Sequence, residues 1–204
     1  MTGEVRTAVC DAPPVNKKEI LRYARAKEAS DAVLALLDEC ISLAQDGLSY
    51  RVAYAVYPIA RSEEGISIGF LKTSSQDLAK NLTGCHAAVA FCATVGHTLD
   101  RLVRRESVTS PARALLLDAY GTERVEALAD AFCGTLAEEY ARDGCVLRPR
   151  FSPGYGDLPL SLQKEIFSAL NLPERLGVTL NESLLMTPKK SVTAFVGIAA
   201  KEQV

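Results

Sequence analysis

This chain of 204 residues lacks most of the short patterns that announce a chemistry. No G-x-G-x-x-G fingerprint follows a predicted strand, which argues against a dinucleotide-binding fold. Its six cysteines are widely scattered and form no C-x-x-C pair, so buried thiols are expected rather than a disulfide framework. The pairs Cys85–His86 and Cys92–His97 match no zinc spacing, which argues against a metal site.

Long apolar runs and a strong net charge are also missing. The longest apolar stretch, around 87–95, is far short of the roughly 20 residues that span a bilayer, and residues 1–14 do not resemble a signal peptide. A formal net charge of −2 argues against a surface for nucleic acid or anionic membrane. The cluster Arg101, Arg104 and Arg105 is expected on a solvated helix face. These absences predict a cytoplasmic protein with no nucleic-acid or membrane partner.

Length and hydrophobic periodicity predict one domain, over residues 15–204, after a leader at 1–14 that ends in Pro13-Pro14. Periodicity, caps and turn residues predict helices over 17–27, 31–46, 76–82, 98–106, 111–142 and 160–170. Strands are predicted over 50–58, where Pro58 closes the strand, and over 66–71, 86–94 and 145–147, with 180–187 and 192–199 as a hairpin. Because no β-α-β repeat appears, we expect an α+β fold with helices packed on an antiparallel or mixed β-sheet.

The loop R-F-S-P-G-Y, residues 150–155, contains the side chains best suited to bind a small ligand. The guanidinium of Arg150 can grip a carboxylate with two parallel hydrogen bonds, and Gly154 lets the main chain approach a ligand closely. Tyr155 offers an aromatic face to a cation and a hydroxyl for hydrogen bonding. An amino acid that carries a sulfonium suits this set, although an ordinary Pro-Gly turn with a surface arginine remains the alternative.

The long predicted helix presents a polar stripe. Asp118, Thr122, Glu126 and Asp130 recur every four residues and therefore share one face. A carboxylate on that face could hold the ammonium group of the same ligand. A solvated helix surface is the alternative interpretation.

Two blocks of sequence resemble the S-adenosylmethionine-binding activation domain of cobalamin-dependent methionine synthase, in its short, free-standing form. R-F-S-P-G-Y is similar to the family's R-x-x-x-G-Y signature, and T-L-N-E-S-L-L-M-T-P-K-K-S-V, residues 179–192, parallels the family's E-S, Met, Pro and Ser-Val at the same spacing. The resemblance extends from about Pro14 to Gly197. It implies the fold of that activation domain for this chain.

The resemblance also implies a ligand set. In the family, the arginine and tyrosine of the signature contact S-adenosylmethionine, and Glu126 falls where the family has a ligand-binding glutamate, with Asp130 as the other candidate. The expected S-adenosylmethionine-binding residues, none of them catalytic, are Arg150, Ser152, Gly154, Tyr155, Glu126 and Asp130.

The function that the resemblance implies is reductive reactivation in methionine biosynthesis. In the family, inert cob(II)alamin receives one electron from flavodoxin or another low-potential donor, and methyl transfer from S-adenosylmethionine traps the reduced cobalt as methylcobalamin. This sequence has no D-x-H-x-x-G cobalamin signature, so cobalamin must come from a partner, a methionine synthase or another corrinoid protein. Whether the chain counts as an enzyme is left open, because no side chain need act as acid or base. The alternative is a non-catalytic docking module for a corrinoid methyltransferase that does not bind S-adenosylmethionine, and a third is reactivation of a different corrinoid protein in anaerobic one-carbon metabolism.

Overall fold

The computed structural model describes residues 3–26 and 28–201, which contain seven α-helices and nine β-strands. The helices are α1 (Lys17–Tyr23), α2 (Asp31–Ala44), α3 (Gln76–Asn81), α4 (Thr98–Thr109), α5 (Pro111–Arg142), α6 (Gln163–Leu170) and α7 (Leu172–Leu176). The strands are β1 (Arg6–Val9), β2 (Arg51–Ser62), β3 (Gly65–Ile68), β4 (Leu71–Thr73), β5 (Cys85–Thr94), β6 (Cys145–Leu147), β7 (Thr179–Leu180), β8 (Met186–Thr187) and β9 (Ser191–Ala200). Short 3-10 turns, Gln45–Gly47 and Leu160–Leu162, follow α2 and precede α6.

One antiparallel sheet of seven strands organises the molecule. Six strands follow the order β4-β3-β2-β5-β9-β6, and β1 pairs with β2 beside this path. The strands β7 and β8 form a separate two-stranded sheet. The predicted α+β class is therefore confirmed, and the sheet is antiparallel.

Helices cover both faces of the sheet because its central strands are apolar on both sides. Along β5, the side chains of Val89, Phe91 and Ala93 enter the core beneath α1, α2, α4 and α5. The alternate residues Ala90 and Cys92 enter a second core beneath α3, α6 and α7. A strand buried on both faces reads as a continuous apolar run, which explains why 86–94 was recognisable in the sequence.

The helix α5 has the length predicted for it and lies across the first core. Its first residue, Pro111, occupies a position where the missing N–H breaks no helical hydrogen bond. The helix continues through Gly121, where α5 packs so closely that a β-carbon would come within 2.8 Å of Leu99 and 2.9 Å of Lys190. Within the described ranges, no helix is long and apolar enough to cross a membrane.

The leader packs on the body of the domain. Its strand β1 pairs with β2 from Arg6↔Tyr54 to Val9↔Arg51. Further on, Arg124 on α5 donates to the carbonyls of Pro13, at 2.5 Å, and Pro14, at 2.8 Å. Residues 1 and 2 of the predicted leader lie outside the described part of the chain.

The predicted end of the first helix was too late. Asn16 caps α1, since its side chain accepts a hydrogen bond from the Glu19 N–H at 3.3 Å. The helix stops at Tyr23, and Arg25 follows in the left-handed region, with φ 56°, which cannot continue a helix. Lys27, the predicted end, lies outside the described residues.

The predicted end of the first long strand was also wrong, because Pro58 lies inside β2. Its carbonyl accepts from the Gly69 N–H at 3.1 Å, on the edge where pairing with β3 begins only at Ile59. No ladder bond there requires the proline N–H. The strand predicted over 66–71 is divided into β3 and β4, because Gly69 turns the chain with φ 50°.

The predicted hairpin of 180–187 with 192–199 does not form. Instead β7 pairs with β8, and β9 lies between β5 and β6 in the main sheet. Most of β9 is buried. Its apolar residues can be removed from water on both faces only in the interior of the sheet and not in a peripheral hairpin. The short helix α7 was not predicted.

Candidate functional site

A bulge at the edge of the sheet aims Arg150 at α5. Leu147 lies opposite Ile198, and Phe151 lies opposite Phe195, so four steps along this chain match three along β9. Strict alternation would place Arg150 on the same face as Arg148, whose side chain lies near Leu82 and Cys85 and away from α5. The extra residue reverses that orientation.

Arg150 joins two carboxylates of α5. Its Nη2 atom donates to Oε2 of Glu126 at 2.6 Å and to Oδ1 of Asp130 at 3.0 Å. The Arg150 side chain is 27% exposed, Glu126 is 33% exposed and Asp130 is 70% exposed. The three residues therefore form a half-buried cluster that is open to solvent on the Asp130 side.

The electrostatic balance of this cluster keeps Arg150 charged. Burial opposes the charge, but the hydrogen bond and charge of Glu126 and the charge of Asp130 outweigh it and raise the pKa of Arg150. Burial, followed by the charge of Glu126, also raises the pKa of Tyr23 on α1. Two carboxylates thus face one guanidinium.

A groove begins beside Asp130 and runs along α5. It has a volume of about 510 Å³, and it is lined by Asp130, Cys133, Gly134, Ala137, Leu147, Arg148, Pro149, Arg150 and Val196. Small residues dominate the helical wall, and a β-carbon built at Gly134 would meet nothing within 4 Å. The groove combines an apolar floor with charged groups at one end, an arrangement typical of sites for small molecules.

The polar stripe of α5 is not a simple solvated face, because each of its four residues contacts a basic side chain. The buried Lys190 donates to Thr122 at 3.0 Å and forms an ion pair with Asp118 at 2.8 Å. Glu126 and Asp130 bind Arg150 instead. The stripe therefore divides into one pair that anchors the chain before β9 and another at the groove.

The remaining loop residues lie on the far side of Arg148-Pro149. Gly154 has φ 92°, a conformation that favours glycine, and its N–H donates to the Leu158 carbonyl at 2.8 Å. The Tyr155 N–H donates to the Ser152 carbonyl at 3.1 Å, so the segment forms a tight turn. Tyr155 is 68% exposed and lines a second groove, with α3, of about 560 Å³.

The end of this loop is fastened to the start of α3. Asp157 accepts hydrogen bonds from the hydroxyl of Ser75, from the Gln76 N–H at 2.7 Å and from the Asp77 N–H at 3.3 Å. In return, the Asp157 N–H donates to Oδ2 of Asp77 at 3.1 Å. A β-carbon at Gly156 would lie 2.2 Å from that same carboxylate oxygen, so only glycine fits between the two.

The structure brings together half of the predicted set. Arg150, Glu126 and Asp130 are in direct contact. Within the described part of the chain, no hydrogen bond connects Ser152, Gly154 or Tyr155 to them.

Sequence reasoning missed the groove residues other than Asp130 and Arg150. The close spacing of Cys133, Gly134 and Ala137 on α5 was an available signal, since small residues at helical spacing leave room beside a helix.

No family model matches the chain, and no curated protein sequence matches it. Among solved structures, the chain is similar to a crystal structure described as the MetH reactivation domain bound to AdoHcy, with a TM-score of 0.68 over 98% of this chain and 80% of that chain. The chain has the fold of the MetH reactivation domain. Sequence identity is 18%, so the similarity is one of fold.

Proposed function

We propose that this chain binds S-adenosylmethionine and supports reductive methylation of cob(II)alamin on a separate cobalamin-dependent methionine synthase. The observation that carries the proposal is the contact of Arg150 with Glu126 and Asp130 at the mouth of the groove along α5. The fold adds support, because the MetH reactivation domain with this fold was solved with AdoHcy, S-adenosylhomocysteine, bound.

The residues present suit the parts of such a ligand. Arg150 uses Nη2 for its own carboxylates, and its other guanidinium nitrogens can donate to the carboxylate of an amino acid. Glu126 can accept from the ammonium group. The apolar floor at Gly134 and Ala137 can take the nucleoside, since a flat ring gains from contact with apolar surface.

Tyr155 would contribute to this site only if the ligand, or the loop, reaches over Arg148-Pro149. Tyr155 lines the second groove and is largely exposed. We therefore assign the main contacts with the ligand to Arg150 and Glu126, and we expect Tyr155 to contribute less to binding.

Titration calorimetry with S-adenosylmethionine on the wild type and on Arg150→Ala tests the proposal. We expect measurable binding by the wild type and at least a tenfold weaker Kd for the variant, because a charge-assisted hydrogen-bonded pair contributes about 1.5–3 kcal/mol. Arg104→Ala is the matched control, since Arg104 is an exposed arginine of α4 and is not among the residues that line the groove. That control should bind like the wild type.

Two results would contradict the proposal. Failure of the wild type to bind, even with a cobalamin-loaded methionine synthase present, would leave the docking module as the better explanation. Equal weakening by Arg150→Ala and Arg104→Ala would show that binding, if any, does not use this groove.

The cellular setting is part of the same proposal. Cobalamin would be supplied by the partner protein, and a low-potential donor such as flavodoxin would supply the electron. A methionine synthase is the proposed partner, and another corrinoid protein is the alternative. Co-purification from a cytoplasmic extract with a cobalamin-containing protein, identified by its absorbance and mass, would support this assignment. Recovery of the chain without any corrinoid protein would oppose it.

A further inference from the structure

The α5 side of the site has an excess of negative charge. Glu126 and Asp130 face the single guanidinium of Arg150. The other cation of the groove, Arg148, directs its Nη2 to the Thr83 carbonyl at 3.2 Å, on the opposite face of the sheet. On α1, which packs against α5, Arg22 is already paired with Glu19 at 2.7 Å. A ligand that carries a net positive charge therefore complements this side better than a neutral one.

The two carboxylates occupy different places relative to the groove. Asp130 lines it, whereas Glu126 is not among the groove residues and lies one helical turn before it. Along the axis of α5, Glu126, Asp130 and Gly134 follow one another at intervals of about 6 Å. In S-adenosylmethionine the amino acid, the sulfur and the nucleoside follow one another in the same way, with the sulfur between the two ends.

We propose that Asp130 makes this site selective for the positively charged sulfonium donor over its neutral thioether product. The inference rests on the proposed function. Donor and product share the carboxylate, the ammonium group and the nucleoside. The positive charge on sulfur is therefore the difference by which a protein can distinguish them. When the methyl group leaves for the reduced cobalt of the partner, the electron pair of the broken S–C bond stays on sulfur and cancels that charge. The attraction to Asp130 is lost at that moment, which favours release of the product.

Calorimetry with S-adenosylmethionine and S-adenosylhomocysteine on the wild type and on Asp130→Asn tests this selectivity. We expect the Kd for the donor to rise about three- to tenfold in the variant, a modest factor because Asp130 is largely exposed and its charge is screened by water. The Kd for the product should change less than twofold. Sinefungin, which carries a protonated amine in place of the sulfonium, should weaken by the same factor as the donor.

Two further variants make the test specific. Asp130→Glu keeps the charge and should keep the preference for the donor. Glu64→Gln removes one carboxylate from the β2–β3 turn, at the other end of the sheet order from β6, and should change neither Kd. Because Asp130 is a solvent-exposed residue of α5, the fold is expected to tolerate all of these changes.

The possible outcomes are distinct. Loss of donor affinity alone supports the inference. Equal weakening of donor and product, or no change in either, overturns it while leaving the proposed function intact. Failure of the wild type to bind either ligand overturns the proposed function and this inference together.

Discussion

Arg124 is the most deeply buried charged residue of α5, and its contacts tie the leader to the domain. Its side chain is 1% exposed and pairs with Glu123 at 2.6 Å. Its other donors bind the carbonyls of Pro13 and Pro14. Glu123 in turn accepts from the Asn16 N–H at 3.0 Å, so one ion pair fixes the segment that leads into α1.

Replacing Arg124 by methionine should therefore be strongly destabilising. We expect a loss of about 3–5 kcal/mol in the free energy of unfolding, because Glu123 would keep a buried charge without a partner. Urea denaturation followed by circular dichroism measures the loss. The double variant Arg124→Met, Glu123→Gln removes that charge and should recover part of it. A loss below about 1 kcal/mol for the single variant would show that the pair does not anchor the leader.

At the scale of the element, alanine substitutions at two glycines of α5 should change the stability of the protein in opposite directions. Gly121→Ala should destabilise the protein by about 1–3 kcal/mol, because its β-carbon would collide with Leu99 and Lys190. Gly134→Ala should stabilise it by about 0.5–1 kcal/mol, because alanine is the better helix former and nothing lies within 4 Å. Thermal or urea denaturation of both variants checks the signs. Equal effects would mean that helix propensity, and not packing, governs both positions.

The contact between Asp157 and the start of α3 should depend on pH. The hydroxyl of Ser75, followed by the backbone N–H groups of Gln76 and Asp77, lowers the pKa of Asp157 below its usual value. The ionised carboxylate therefore stabilises the fold at a pH above its unfolded pKa of about 3.9, and this stabilisation disappears as the pH falls through the lower, folded pKa.

A pH series of unfolding free energies on the wild type and Asp157→Asn tests this effect. The difference between the two proteins should be constant above about pH 5 and should shrink as the pH falls below about 4. Ser75→Ala, which removes the first of the donors, should reduce the pH-dependent part. A difference that stays constant down to pH 2 would contradict the assignment.

The sequence was sufficient where a pattern is local, and insufficient where a contact depends on tertiary packing. The period of α5 and the caps of α1 and α3 were readable, because the residues that determine them are neighbours in the chain. The bulge that turns Arg150 toward α5 was not readable, since it appears only when the register with β9 is known. The position of β9 between β5 and β6 was not predicted for the same reason. Arg150, Glu126 and Asp130 were predicted as a ligand set from the family resemblance, but the ion pairs among them were not predicted.

At the scale of the whole molecule, the leader has two parts that should contribute unequally. The strand β1 is mostly exposed, with Val9 85% exposed, so deleting residues 1–11 should cost only about 1–2 kcal/mol in lost pairing with β2. Deleting residues 1–14 also removes the carbonyls that Arg124 binds. That longer deletion should cost at least about 2 kcal/mol more, because a buried guanidinium would lose two acceptors.

Both truncated proteins can be compared with the full chain by urea denaturation. Titration with S-adenosylmethionine at the same time would show whether the leader influences the groove or only stability. Equal costs for the two deletions would refute the unequal contributions proposed for β1 and the proline carbonyls.

The thiol of Cys133, which lines the groove, has a consequence for any reactive methyl donor held there. Burial raises the pKa of Cys133 to about 11. The nearby charge of Arg150 opposes this increase, and the charge of Asp130 adds to it. At neutral pH only about one such thiol in ten thousand is ionised, and the thiolate is the nucleophilic form. The thiol that lines the groove is thus held in its unreactive, protonated form. A methyl donor of the kind proposed for this groove would therefore not be consumed by alkylation of the protein itself.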